Sequence, residues 1–177
     1  MAALTPTKNG LQHQPSRHAI EARWFRRAHP EVSATFCRNH EVIVGTGQRL
    51  QVSAAKDYRG DPSLADPEQL LVGSVASCHM LFFLAIAERN GYVVESYIDA
   101  ATGYLEREDA GGLSVRRIAL APKVTFSPEK CPDQKELERM HDRAHSSCFI
   151  AKSFKGSVSV SPVLCRRRGP PFEMDAQ

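Results

Sequence analysis

The chain has 177 residues, 24% of them charged and 42% hydrophobic, with a formal net charge of +3. That length suits one domain with a full core, and so small a net charge excludes a general attraction to nucleic acid unless the cations cluster. The one basic cluster, Arg166, Arg167 and Arg168, precedes Gly169-Pro170-Pro171 and reads as a solvated tail.

Residues 1–17 are polar, aperiodic and contain two prolines, so a disordered extension is expected there. They include no apolar run ahead of a small-residue cleavage site, so no secretory signal is read and a cytoplasmic location is expected. In that reducing compartment five cysteines at irregular spacing are not a disulfide framework; they read as free thiols, metal ligands or redox centres. Residues 18–25 alternate weakly, as an outer strand would. Residues 34–44 and 49–54 flank Gly45-Thr46-Gly47 and predict a hairpin, and residues 56–65 read as loop.

Residues 66–90 are the stretch the rest is built around. Asp66 is a good N-cap, Pro67 suits the first helical position and Gln69 completes a capping-box pattern. Asn90-Gly91 supplies a left-handed stop. Between them apolar groups point in every direction, predicting a helix enclosed on all sides. Its flanking charges trim the apolar core to roughly 16 residues, short of the ~20 a membrane span needs. Residues 92–106 and 114–126 predict a second, half-buried hairpin, with Pro122 confining its strand to an edge or bulge. A further helix begins at Pro132-Asp133, repeating Leu137, Met140, His141, Ala144 and Cys148 at helical spacing. A last strand covers residues 156–162. This order predicts an α+β fold of antiparallel sheets around a long buried helix, in one domain over residues 18–163 with a flexible tail over residues 164–177. Three strands and a short helix cover only one side of such a helix, and a second subunit is the simplest cover for the other.

The chemistry is expected at Cys78 and Cys148, each on a helix that faces the core. A buried cysteine is by default a small hydrophobe. Two that meet can instead cycle through a sulfenic acid and a disulfide, provided that a cation, best an arginine, offsets the burial that disfavours the thiolate. His141, His145 and Cys148 lie at i, i+4 and i+7 on one helical face, and with Cys78 or His79 they would make a rival, tetrahedral metal site. Outside such a site His79 reads as a hydrogen-bonded core or rim histidine. Cys37, Cys131 and Cys165 read as incidental.

The runs Asp66-Pro67-Glu68-Gln69-Leu70-Leu71, Ser77-Cys78-His79-Met80 and Ala144-His145-Ser146-Ser147-Cys148-Phe149-Ile150-Ala151 resemble the OsmC/Ohr family of thiol-dependent organic hydroperoxide reductases, most closely the OsmC-like branch with a Cys-His-Met run at the first cysteine. The likeness extends over about residues 18–163. It implies an intertwined α+β homodimer with two interfacial sites. By the same resemblance Cys78 is the peroxidatic cysteine, Cys148 the resolving one, and Glu68 the glutamate that holds an arginine over the thiolate. The family takes that arginine from the first hairpin; Arg38 matches the spacing, and Arg59 in the following loop competes with it. Ten residues of straight helix would put Glu68 about 15 Å from Cys78, so a break at Gly73-Ser74, a pair that permits sharp kinks, is expected to fold Glu68 back. The implied substrates are organic hydroperoxides, approached past Met80, Leu81, Phe82 and Phe149, and the implied reductant is an external dithiol of lipoyl type, with no bound cofactor. A non-catalytic redox sensor or small-ligand binder of the same fold, or the metal-binding protein above, are the alternatives.

Overall fold

The structure, a computed structural model, describes residues 15–165. The residues ahead of position 15 and the arginine cluster at 166–168 lie outside that range. An N-terminal antiparallel sheet is formed by β1 (Ile20–Arg23), β2 (His40–Val44) and β3 (Gln48–Val52). The hairpin turns where the sequence places it, because Gly45 and Gly47 both take positive φ. β2 begins six residues later than expected: residues 24–39 form an irregular excursion closed by an isolated bridge between Ala28 and Phe36. Among the described residues this sheet makes no more than sparse contact with any other helix or strand.

The central helix, α1 (Pro67–Arg89), carries the predicted capping box. The Asp66 carboxylate accepts from the Gln69 backbone N–H at 2.7 Å, and the Gln69 side chain accepts from the Asp66 N–H at 3.2 Å. The expected break at Gly73-Ser74 is absent. The helix runs through it, with the Ser74 hydroxyl donating to the Leu71 carbonyl at 2.7 Å, so the pair is absorbed into the helix rather than opening it.

The second hairpin spans nearly the predicted residues but bends in the middle. Residues 92–106 split into β4 (Val94–Asp99) and β5 (Thr102–Arg107), and residues 114–126 into β6 (Leu113–Leu120) and β7 (Pro122–Phe126). β4 pairs with β7 and β5 with β6, both antiparallel, in two different sheets. The Asp99 carboxylate holds the corner by accepting from the Ala121 backbone N–H at 2.8 Å. Pro122 lies on neither an edge strand nor a bulge: it is the first residue of β7, the middle strand of its sheet, a position that also tolerates the missing N–H. β5 runs so close to α1 that a Cβ at Gly103 would sit 2.5 Å from Val72 Cγ2.

α2 (Gln134–Ser147) starts at an Asp133 cap and ends at Cys148, from which α3 (Phe149–Ser153) begins. β8 (Ser157–Val160) then adds to β6, and β9 (Val163–Cys165) to β7, both parallel. β9 therefore takes in residues 164 and 165, the first two of the expected tail.

The core has two halves. Phe83, Ile86 and Ala87 of α1 pack with Leu137, Met140 and Ala144 of α2 over Val124 and Phe126, while Val72 and Val75 pack over Ile118 and Leu120 together with Ile150 of α3 and Phe154 at its end. One side of α1 is thus covered. Along the other, Gly73, Ser74, Ser77, Leu81 and Ala85 are exposed within the single chain, Leu81 at 60%. By length and hydropathy alone α1 would pass for a membrane span; its buried side instead carries the packing of both core halves.

Candidate active site

Cys78 lies on α1 at the seam between the two core halves, half-buried, and Cys148 is fully buried at the joint of α2 and α3. Neighbouring rings bracket the meeting of these two segments. On one side His79 lies 6.5 Å from His145; on the other Phe82 and Phe149 meet edge to face at 5.0 Å. The two thiols are neighbours: burial first, and with it the nearby Cys78, push the Cys148 thiol above its usual range, offset in part by the backbone N–H groups of Ala151 and Ile150. Cys148 also caps α3, its sulfur accepting from the Ala151 N–H at 3.4 Å. Two reduced sulfurs on neighbouring elements fixed by core packing are the natural candidates for a reversible disulfide.

The other two expected site residues are not brought to Cys78 within one chain. Arg38 donates to Thr35 Oγ1 at 3.0 Å and to the Phe36 carbonyl, with its guanidinium 4.3 Å above the Phe36 ring. It lines a cavity of about 460 Å³ between the excursion that precedes β2 and the loop that follows β3, shared with its competitor Arg59, Lys56 and Cys37. Arg59 is held in a left-handed conformation, φ 63°, and its carbonyl lies 3.1 Å from His29 Nε2. Glu68, on an uninterrupted α1, remains about 15 Å from Cys78 along the axis and borders a different cavity with Asp99 and Thr102.

The rival metal cluster does not converge. Among the described residues no group of three or more His, Cys, Asp and Glu side chains is placed to hold a metal ion. The histidines turn to one another: His79 Nε2 and His141 Nδ1 are 2.9 Å apart, both rings are about 1% exposed, and Phe83 stacks on His141 at 4.1 Å. Burial lowers His79 to a pKa of about 4, with help from the charge of His145, and lowers His141 to about 3, with help from His79. Both are neutral at pH 7. Sequence reasoning foresaw a hydrogen-bonded core histidine at position 79 but not its partner; the signal was His141, placed on the apolar stripe of an otherwise polar helix.

A family model for OsmC-like proteins matches residues 60–162. The chain belongs to the OsmC-like family. A solved OsmC-like protein of unknown function from Vibrio cholerae is 34% identical, with a TM-score of 0.78 over 84% of this chain and 100% of that one. A curated relative, the uncharacterized protein YmaD of Bacillus subtilis, is 24% identical over 125 residues, 70% of this chain and 83% of its own. The organic hydroperoxide resistance protein OhrB of Bacillus subtilis shares the fold at 16% identity, with a TM-score of 0.57 over 85% of this chain and 98% of its own. The OsmC-like α+β architecture, with sheets around one long helix, is therefore established.

Proposed function

We propose that this protein is a thiol-dependent peroxidase that reduces organic hydroperoxides to alcohols. The observation that carries the reading is the apposition of Cys78, half-open to solvent, with the buried Cys148. Cys78 thiolate attacks the proximal peroxide oxygen; the O–O bond breaks, the alkoxide takes a proton and leaves as the alcohol, and Cys78 becomes a sulfenic acid. Cys148 then condenses with it, releasing water and leaving a disulfide. An external dithiol, lipoyl-type by family resemblance, returns both thiols. The apolar approach made by Leu81, Phe82 and the 66% exposed Phe149 favours organic peroxides over hydrogen peroxide.

The working unit in this reading is a homodimer in the cytoplasm. Its support is the bare apolar face of α1 together with an N-terminal sheet that, among the described residues, makes only sparse contact with the other helices and strands. Both are satisfied if the sheet of one copy lies over α1 of the other. That arrangement also supplies what one chain lacks at Cys78, a cation: Arg38, or Arg59 beside it, comes from the second copy, and Glu68 orients it across the interface rather than along its own helix.

The test is turnover. Reduced protein with a dithiol should consume cumene hydroperoxide through many cycles, and Cys78→Ser should abolish consumption. A single oxidation with no subsequent cycle would overturn the peroxidase reading in favour of a sensor.

A further inference from the structure

A cavity of about 540 Å³ lies between α3, β6 and the start of α1, and neither thiol, nor Arg38, Arg59 or Glu68, lines it. That volume is within the range of small-molecule sites. Its apolar side chains, Leu71, Val115, Ile150 and Phe154, are only partly buried against the half of the core that holds Val75 and Ile118. Its charges are Arg116, Lys155 and, on the turn between β5 and β6, Glu108.

Two backbone features place those cations. The first is a bulge. Tyr104 of β5 faces Arg117 and Leu105 faces Val115, so Arg116 is the extra residue, without a partner on β5. The bulge turns Arg117 and Val115 to opposite sides of the strand: the Arg117 guanidinium lies 4.1 Å above the Tyr104 ring, while Val115 packs inward with the core. Bulges re-aim side chains in this way beside functional sites. The second feature is Gly156, which leads into β8. A Cβ there would stand 2.2 Å from the Arg116 carbonyl oxygen and 2.7 Å from Phe154 Cε1, so the absence of a side chain lets the two segments press together and brings Lys155 to the same cavity as Arg116.

We propose that this cavity binds a small amphiphilic anion, a carboxylate on an aliphatic tail, with the tail along Leu71, Val115, Ile150 and Phe154 and the carboxylate against Arg116 and Lys155. Neither cation makes an ion pair among the described residues. Glu106, the carboxylate whose charge is felt by both arginines of β6, is bound by Arg117 through Nε and Nη2 at 2.9 and 2.7 Å. With Glu108 counted, the cavity carries two positive charges against one negative. An inorganic anion would leave the apolar side chains wet, and a neutral apolar ligand would leave both cations without a counter-charge. A carboxylate with a hydrocarbon tail meets both demands at once. One wall of the site is α3, the helix that starts at Cys148, so its occupant would rest against the segment that carries the buried thiol.

Calorimetric titration of the reduced full chain with octanoate, at low salt and below micelle formation, tests the proposal. The expected result is one saturable site per chain. Octanol, with the same tail and no charge, and acetate, with the charge and almost no tail, should each bind about tenfold more weakly or worse. Arg116→Gln combined with Lys155→Gln should weaken octanoate by a similar factor, and added salt should weaken it in the wild type. Glu108→Gln, which removes the opposing charge, should tighten binding, and Ser153→Trp, at an exposed position on the rim, should block it. No saturable binding, equal affinity for octanol, or an affinity indifferent to the charges at 116 and 155 overturns the proposal. Cys78→Ser should bind octanoate as the wild type does; loss of binding there would put the ligand at the thiols and overturn the assignment as well. No peroxide is present, so failure of this measurement and failure of peroxidase turnover are separate results.

Discussion

The buried histidine pair makes the fold acid-sensitive in a way that can be worked through. In the unfolded chain a histidine titrates near 6.5, whereas burial holds His79 to about 4 and His141 to about 3. Between pH 6.5 and 4 the unfolded chain binds protons that the folded chain refuses, so stability is complete above about pH 6.5 and drains away as the pH falls toward 4. At about 1.4 kcal/mol per tenfold change in proton affinity, His79 alone contributes about 3 kcal/mol of loss, and the pair roughly 3–6 kcal/mol between pH 7 and pH 4. The paired replacement His79→Leu with His141→Phe removes both ionisations and keeps the ring stacked on Phe83. Urea unfolding midpoints at pH 7.0, 5.5 and 4.0, at one fixed protein concentration, should then separate the two proteins progressively. They should lie close at pH 7, with the variant the more stable by several kcal/mol at pH 4. Parallel loss of stability in both, meaning that carboxylates alone drive the acid transition, would refute the reasoning.

Other outcomes follow from the same geometry. If the thiolate's cation comes from the second copy, co-expressed Cys78→Ser and Arg38→Ala chains will recover activity that neither homodimer has, because one site of the mixed dimer is intact; Arg59→Ala in place of Arg38→Ala identifies which arginine serves. Leu81→Glu on the bare face of α1 should shift the protein from dimer to monomer by size-exclusion chromatography while far-UV circular dichroism stays unchanged. Gly60→Ala should destabilise by more than the ~1–3 kcal/mol of ordinary overpacking, since its Cβ would stand 1.5 Å from the Ala54 carbonyl oxygen, a backbone atom that cannot step aside; thermal melting measures the loss.

Local signals were legible where they were self-contained. The capping box at Asp66 and Gln69, the glycine hairpin at residues 45–47 and the helical stripe ending at Cys148 each act over a few residues, so sequence spacing determines them. What failed depended on distant partners. The corner between β6 and β7 is held by Asp99, twenty-two positions before Ala121, and periodicity alone reads those two strands as one. The inferred break at Gly73-Ser74 followed from the demand that Glu68 and Cys78 of one chain share an arginine; the unbroken helix removes that demand's premise, because the two need not belong to one copy. That Cys78 and Cys148 would be neighbours was reachable from sequence, since each lies on a helix that faces the core. The His79–His141 bond was not: two histidines sixty-two positions apart carry no mark of which ring atoms will meet.

Cys148 is a thiol that also ends one helix and begins another. Its sulfur receives the Ala151 amide, one of the orphan donors of the first turn of α3. Drawing that sulfur into a bond with Cys78 changes the electron density the amide sees, so the oxidation state of the pair is transmitted to the short segment carrying Phe149 and Ile150 at the mouth of the site. In the proposed cycle, a reductant approaching the oxidised pair would therefore meet a helix start whose cap differs from the one the peroxide met.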